Sequence, residues 1–414
     1  MVRRVRNHQD FDASLTDKIE QSRPELVKLT QEFVRTESLS GQEGEFAALV
    51  ASRMKSLGYS EVRTDKVGNV LGSIGGTGDE GALLFNGHMD HVPPGDMSEP
   101  YSAEVKDGAP FGVAGEVVVG RAASDMKGAL AAMIVAGSVL RDLGLPMKHR
   151  MIVAAVVLEE FNGLGSRFLV ESGLRLGGVV IGESTNLDVA LGHRGSMAIS
   201  VTTEGKSCHA SVPERGTNAL YKMITVLQRI SLAAKKLPSH PVLGKSSMTA
   251  TTISLNPNVK NVVPSLCTIG LDVRNTPNFP PEKALDTIRS TVDRAKAQDS
   301  EMKARVEFAK RSLKSYTGYE REIDLMTPPF YTQPNAPIAQ MTRRVADRVL
   351  QKTSKFKVWS FATDGSYFAN QGIPTVGFGP GEERFAHSPL DNVRVDDLVA
   401  SAKVYAALAA EFCQ

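Results

Sequence analysis

Seven side chains able to hold cations or move protons stand at or near the ends of apolar runs in this chain. The stretch LLFNGHMDHVPPGD passes from strand formers straight into His88 and Asp90. Positions two apart point to the same side of an extended strand end. His88 can therefore ligate a metal while Asp90 bonds its other ring nitrogen. GRAASDMKGALAAM places Asp125 just ahead of a helical pattern. A carboxylate there can cap free N–H groups or bridge two cations. MIVAAVVLEEFNG ends on Glu159 and Glu160, one able to bind metal while the other stays free as a base. Glu183 in GGVVIGES ends the next strand, and parallel sheets build their sites at such carboxyl ends. His387 in FAHSPLDN is followed by Pro389, which can fix the loop that aims the ring. A histidine and carboxylate set without thiolates suits zinc, manganese or cobalt. The spacing is not the His-Glu-x-x-His of helical zinc proteases.

Alternating helical and strand patterns must position these groups. Thr16 to Thr36 and Glu43 to Leu57 read as helices, NVLGSIGG and ALLFNGH as strands, and Met126 to Leu143 as a helix closed by Gly144. MIVAAVVLEE is a strand buried on both faces. Ser166 to Ser172 is the next helix and GGVVIGE the next strand. This alternation predicts an α/β fold with a mostly parallel sheet. After Gly192 the pattern changes. SMAISVTTEG, TATTISLNPN, CTIGLDVRN and ARVEFAKRS read as strands, and NALYKMITVLQRISLAAKKL and PEKALDTIRSTVDRAKAQ as helices. They predict a small α+β unit with an antiparallel sheet, inserted at residues 194–312. Residues 1–193 and 313–414 then form one metal-binding catalytic domain, completed by the helix PIAQMTRRVADRVLQK and the strand IPTVGFGP.

The bulk composition narrows the function classes. With 414 residues, two domains are expected. Lys plus Arg total 48 against 46 for Asp plus Glu, which points to neither a nucleic-acid partner nor a membrane surface. No apolar run approaches the roughly 20 residues of a membrane span, and no apolar core follows the basic start MVRRVRNHQD. Cys208, Cys267 and Cys413 form no zinc or disulfide pattern, so a reducing cytoplasmic compartment is expected.

The ordered series GHMDHVP, GRAASDMKGALAAM, LEEFNGLGS, IGES, GKSCHASVPERGTNA and AHSPLDN resembles the dinuclear metal amidohydrolases that include acetylornithine deacetylase, succinyl-diaminopimelate desuccinylase, aminoacylase and the glutamate carboxypeptidases. The resemblance implies a zinc-exopeptidase-like catalytic domain with a ferredoxin-like insert acting as lid and homodimer interface. It implies two divalent metal ions, zinc first, with manganese or cobalt as alternatives. His88 and Glu183 would hold one, Glu160 and His387 the other, and Asp125 would bridge them. Glu159 would be the general base and Asp90 the support of His88. His209 would match the lid histidine that reaches a neighbouring subunit's site to stabilise the oxyanion. Asn261 and Arg274 would contact substrate, Arg274 by gripping a carboxylate, with Thr363, Asp364 and Gly365 near the pocket. Two departures flank the pocket. His91 stands where a small or β-branched residue is expected, as a pocket residue or an exposed one, and Met97 stands where relatives often have Trp.

The expected reaction is hydrolysis of the amide bond of an N-acyl amino acid or short peptide bearing a free carboxylate. A metal-activated water attacks and Glu159 takes its proton. The alternatives are hydrolysis of a non-amide C–N bond, such as a carbamoyl group or the amino group of an aromatic acid, and a catalytically silent metal-binding or scaffold protein. A dinuclear phosphoesterase fits less well, because its transition state calls for extra cationic groups.

Overall fold

The computed structural model describes residues 8–76 and 78–414. Eight strands form the main sheet in the order Ser60–Thr64, Val70–Ile74, His149–Val156, Gly78–His88, Leu176–Ile181, Thr375–Gly377, Val189–Ala190 and Phe356–Lys357. The four strands from His149–Val156 to Thr375–Gly377 in this order run parallel. Antiparallel pairs adjoin them on both sides, so the sheet is mixed. Leu83 and Phe85 enter one apolar cluster, Ala82 and Leu84 another on the opposite face. That two-sided burial explains why ALLF and MIVAAV read as unbroken apolar runs.

Helix Gly128–Leu143 lies against this sheet and against helices Arg23–Arg35 and Val395–Phe412. Ala123–Leu143 is long and apolar enough to cross a membrane, contrary to the expectation that no stretch approaches that length, and its residues 123–140 are buried within the protein. Its small residues permit close packing. The Tyr59 hydroxyl donates to the Ile134 carbonyl at 2.9 Å, and a Cβ on Gly137 would stand 2.0 Å from that hydroxyl oxygen.

The helix read as Thr16 to Thr36 is two, His8–Gln21 and Arg23–Arg35, because Pro24 opens the second and cannot continue the first. Helix Gly128–Leu143 begins later than read, since Asp125 and Met126 have non-helical dihedrals. The sequence reading also missed the final helix, Val395–Phe412, whose Ala-rich surface is apolar on nearly every side and carries little periodic signal.

A second core belongs to a smaller antiparallel sheet, ordered Ser247–Asn256, Leu266–Asn275, Gly195–Glu204 and Lys303–Phe308. Alternate residues of Leu266–Asn275 are buried beneath helices Ala219–Ala234 and Pro281–Lys296. Past residue 312 the hairpin Lys310–Lys314/Glu320–Asp324 packs Leu313 and Ile323 into the main core, and Met326–Thr327 then pairs with Gly195–Glu204.

Candidate metal centre

The site lies at the carboxyl ends of the central strands. His88 ends Gly78–His88 and pairs in register with Val156, so Glu159 and Glu160 leave the adjacent strand at the same level. Glu183 follows Leu176–Ile181 on the other side. Asp125 comes from the segment Ala123–Lys127, ahead of the buried helix. His387 comes from the loop before Asn392–Arg394, with φ +58°.

The Asp125 carboxylate offers one oxygen to each histidine. Oδ1 lies 2.9 Å from His88 Nε2, and Oδ2 lies 3.1 Å from His387 Nε2. Glu183 Oε1 is 3.4 Å from His88 Nε2, and Glu160 Oε1 is 2.9 Å from His387 Nε2. Two triads result, His88–Asp125–Glu183 and Asp125–Glu160–His387, each with donor atoms within 4.8 Å of one another.

The tautomer of His88 is set locally. Its Nδ1 lies 2.8 Å from the Asp90 carbonyl oxygen, which can only accept, so Nδ1 carries the hydrogen. Nε2 then faces two carboxylates, an arrangement that requires a proton or a cation between them. In the metal-free site a proton serves. Burial lowers the His88 pKa, but hydrogen bonds to Asp125 and Glu183 outweigh it and hold the ring well above the usual histidine range. Hydrogen bonds to Asp125 and Glu160 push His387 up to about 10. Glu183 Oε2 is buried with no hydrogen-bond partner among the described residues, and burial followed by the Asp125 charge pushes this acid up to about 7. An orphaned carboxylate oxygen among imidazole and carboxylate donors fits a divalent cation at each triad.

Glu159 stays outside both triads but lines the same 210 Å³ cavity, with Phe361, Ala362 and Glu383 on its walls. Burial, then the charge of Asp364, raises its carboxyl well above the usual range. Asp364 is itself buried behind it, accepting the Ser166 hydroxyl at 2.6 Å.

Several expected roles change. The Asp90 carboxylate does not bond the His88 ring. Its nearer oxygen is 3.8 Å from Nδ1, which the Asp90 main chain already occupies. The carboxylate instead accepts the Glu159 and Glu160 amides at 3.0 and 3.2 Å, and the Ser40 hydroxyl at 2.6 Å. Asp125 is not a helix cap. His91 is neither exposed nor in the cavity. It is 1% exposed, accepts the Ser38 amide at Nε2, and burial lowers it to about 4. Thr363 and Gly365 are buried, and Thr363 N–H donates to His193. The residues just before them, Phe361 and Ala362, reach the cavity. Strand alternation could not find these, because the segment is a turn.

His209 lies on an exposed loop of the smaller unit, bonded to the Ser211 hydroxyl at 2.6 Å. It is bridged to Val262, and Ala210 N–H donates to the Asn261 carbonyl. The structure thus brings His209 and Asn261 together but lines the cavity with neither. The Arg274 guanidinium is taken up by Asp272 of its own strand, at 2.9 and 3.0 Å.

Residues 84–411 match the family model described as Peptidase family M20/M25/M40. The chain is 30% identical over 403 residues to the uncharacterized protein YgeY of Escherichia coli K12, covering 95% of this chain and 96% of that one. It is 27% identical over 378 residues to acetylornithine deacetylase of Myxococcus xanthus, covering 89% and 90% of the two chains. Its fold matches that of Bacillus subtilis YXEP, a dinuclear metal binding peptidase, with TM-score 0.68 at 14% identity over 95% of this chain and 99% of the other. Two carboxylate–histidine triads sharing Asp125, set in this fold and this sequence pattern, make the chain a hydrolase belonging to peptidase family M20/M25/M40.

Proposed function

We propose that the chain hydrolyses the C–N amide bond of an N-acyl amino acid or short peptide bearing a free carboxylate. The observation that carries this reading is the shared Asp125 carboxylate, with Glu159 unliganded in the same cavity. His88 and Glu183 would hold one divalent cation and Glu160 and His387 the other, with Asp125 common to both; zinc is the first choice, manganese or cobalt the alternatives. Bound cations supply a water of near-neutral pKa and draw charge from the scissile carbonyl. Glu159 removes the proton of the attacking water and delivers it to the leaving amine. Its burial beside Asp364 supports that role, because a raised carboxyl is a better base.

His209 would stabilise the oxyanion from a second copy of the chain. The unpaired edge of Ser247–Asn256 and the exposed Tyr221, Ile224, Leu232 and Ile253 support a homodimer through the smaller unit, which would act as the lid. Arg274 would exchange Asp272 for the substrate carboxylate, a swap between equivalent bidentate partners. Three free cysteines, two of them buried, support a reducing cytoplasmic setting.

The test is a substrate panel on chelator-stripped protein reloaded with zinc, manganese or cobalt. N-acyl amino acids and dipeptides are expected to turn over. Turnover restricted to carbamoyl or other non-amide substrates would transfer the site to that chemistry. Two bound metals without turnover would mark a silent protein.

A further inference from the structure

Four consecutive amides at the exit of His149–Val156 donate to side chains from distant segments. Val157 N–H bonds Asn69 Oδ1 at 3.1 Å, and Leu158 N–H bonds Glu43 Oε1 at 3.1 Å. The Glu159 and Glu160 amides take the two oxygens of Asp90. These amides lie beyond the last paired residue, Val156, and Leu158 has φ +56°. Sheet pairing therefore does not hold the amides of this segment; three side chains do, while its carbonyls accept the amides of Gly163 and Gly165.

Glu43 is the unexpected member. It is 0% exposed, at the start of helix Gly44–Ser56, and its Oε2 has no partner among the described residues. Burying a carboxyl with one oxygen unpartnered is costly. Burial and the Asp90 charge push its acid up to about 7. Asn69 works one residue earlier, anchored by donating to Asp65 Oδ2 at 2.8 Å and to the Gly165 carbonyl at 3.0 Å.

We infer that Glu43 is a positioning residue for the reaction: by fixing the Leu158 amide it sets where Glu159 and Glu160 stand. This rests on the reading of Glu159 as base and Glu160 as ligand. A displacement of about 1 Å at such a group costs on the order of 100-fold in rate.

The test compares two conservative variants. Glu43→Asp draws the carboxylate back by one methylene, out of reach of Leu158. It should lower kcat at least tenfold with KM within threefold, and weaken one of two zinc equivalents at least tenfold in titration. Glu43→Gln keeps an oxygen at the Oε1 position and should hold kcat, KM and both zinc affinities within threefold of wild type. Glu43→Asp at wild-type kcat and zinc affinity, or Glu43→Gln as impaired as Glu43→Asp, overturns the inference. If Glu43→Asp does not fold, hydrogen exchange in the wild-type protein decides. The Leu158 amide should exchange as slowly as the strand interior, and fast exchange overturns the role. Zinc titration reads the Glu160 position even if no amide substrate is found, so failure of the proposed reaction remains distinguishable.

Discussion

His88 turns Nε2 toward Asp125 Oδ1 at 2.9 Å while its Nδ1 is fastened to a carbonyl. The shared carboxylate thus sees an imidazole on each side, and the two triads cannot be filled independently. Asp125→Ala is expected to bind less than one equivalent of metal and to lose at least 10³-fold in turnover. Elemental analysis of the dialysed variant checks the first, and a variant retaining two equivalents contradicts it.

Metal affinity should rise with pH. In the metal-free site both histidines hold protons above the usual range, His88 through hydrogen bonds to Asp125 and Glu183, and His387, to about 10, through those to Asp125 and Glu160. Ligation needs the neutral ring, so each cation displaces protons, and acid competes with metal. Competition titrations at pH 6, 7 and 8 should give progressively tighter zinc binding. Titration in buffers of different ionisation enthalpy should register proton release. Affinity independent of pH would refute the linkage.

Glu159→Gln should keep both metals and lose about 10²–10⁴-fold in kcat, the usual worth of a positioned acid–base group. Full metal content with near-normal turnover would remove Glu159 from the proton path.

Asp90→Asn should damage the site through the backbone. One of the two oxygens that accept the Glu159 and Glu160 amides becomes a donor facing a donor. Leaving a buried amide unpaired costs about 1–3 kcal/mol. The His88 ring keeps its carbonyl partner, so the His88 triad should still bind metal. Loss of both metals together would instead tie Asp90 to His88.

Gly165→Ala is a stability prediction. A Cβ there would lie 2.4 Å from Asn69 Oδ1 and 2.7 Å from the Val157 backbone nitrogen and oxygen. Such overpacking costs about 1–3 kcal/mol, and the strand exit would be pushed from its anchor. Urea unfolding checks the loss, and an unchanged midpoint would mean that the loop gives way freely.

The sequence made the clustered histidines and carboxylates legible and left their scaffolding hidden. His88, Glu160 and Glu183 could be read because each stands within three residues of the end of an apolar run that forms a buried parallel strand. Asp125 and His387 were readable as types, but not in geometry, since one sits in a non-helical turn and the other in a loop. Glu43 and Asn69 carry no pattern at all. Their importance comes from contacts with residues 157 and 158, and spacing along the chain does not encode such contacts. Asp90 was misread because its main chain and its side chain divide two tasks that residue type alone assigns to the carboxylate.

The closing helix has a consequence for biosynthesis. Val395–Phe412 covers Gly128–Leu143, and the Cys413 carbonyl accepts the amides of Lys148 and His149, at the start of a central strand. During translation the greasy inner helix can pack on Arg23–Arg35 but lacks the cover of Val395–Phe412 until that segment has been made. A chain cut short near residue 395 should therefore expose one apolar face of the inner helix and aggregate.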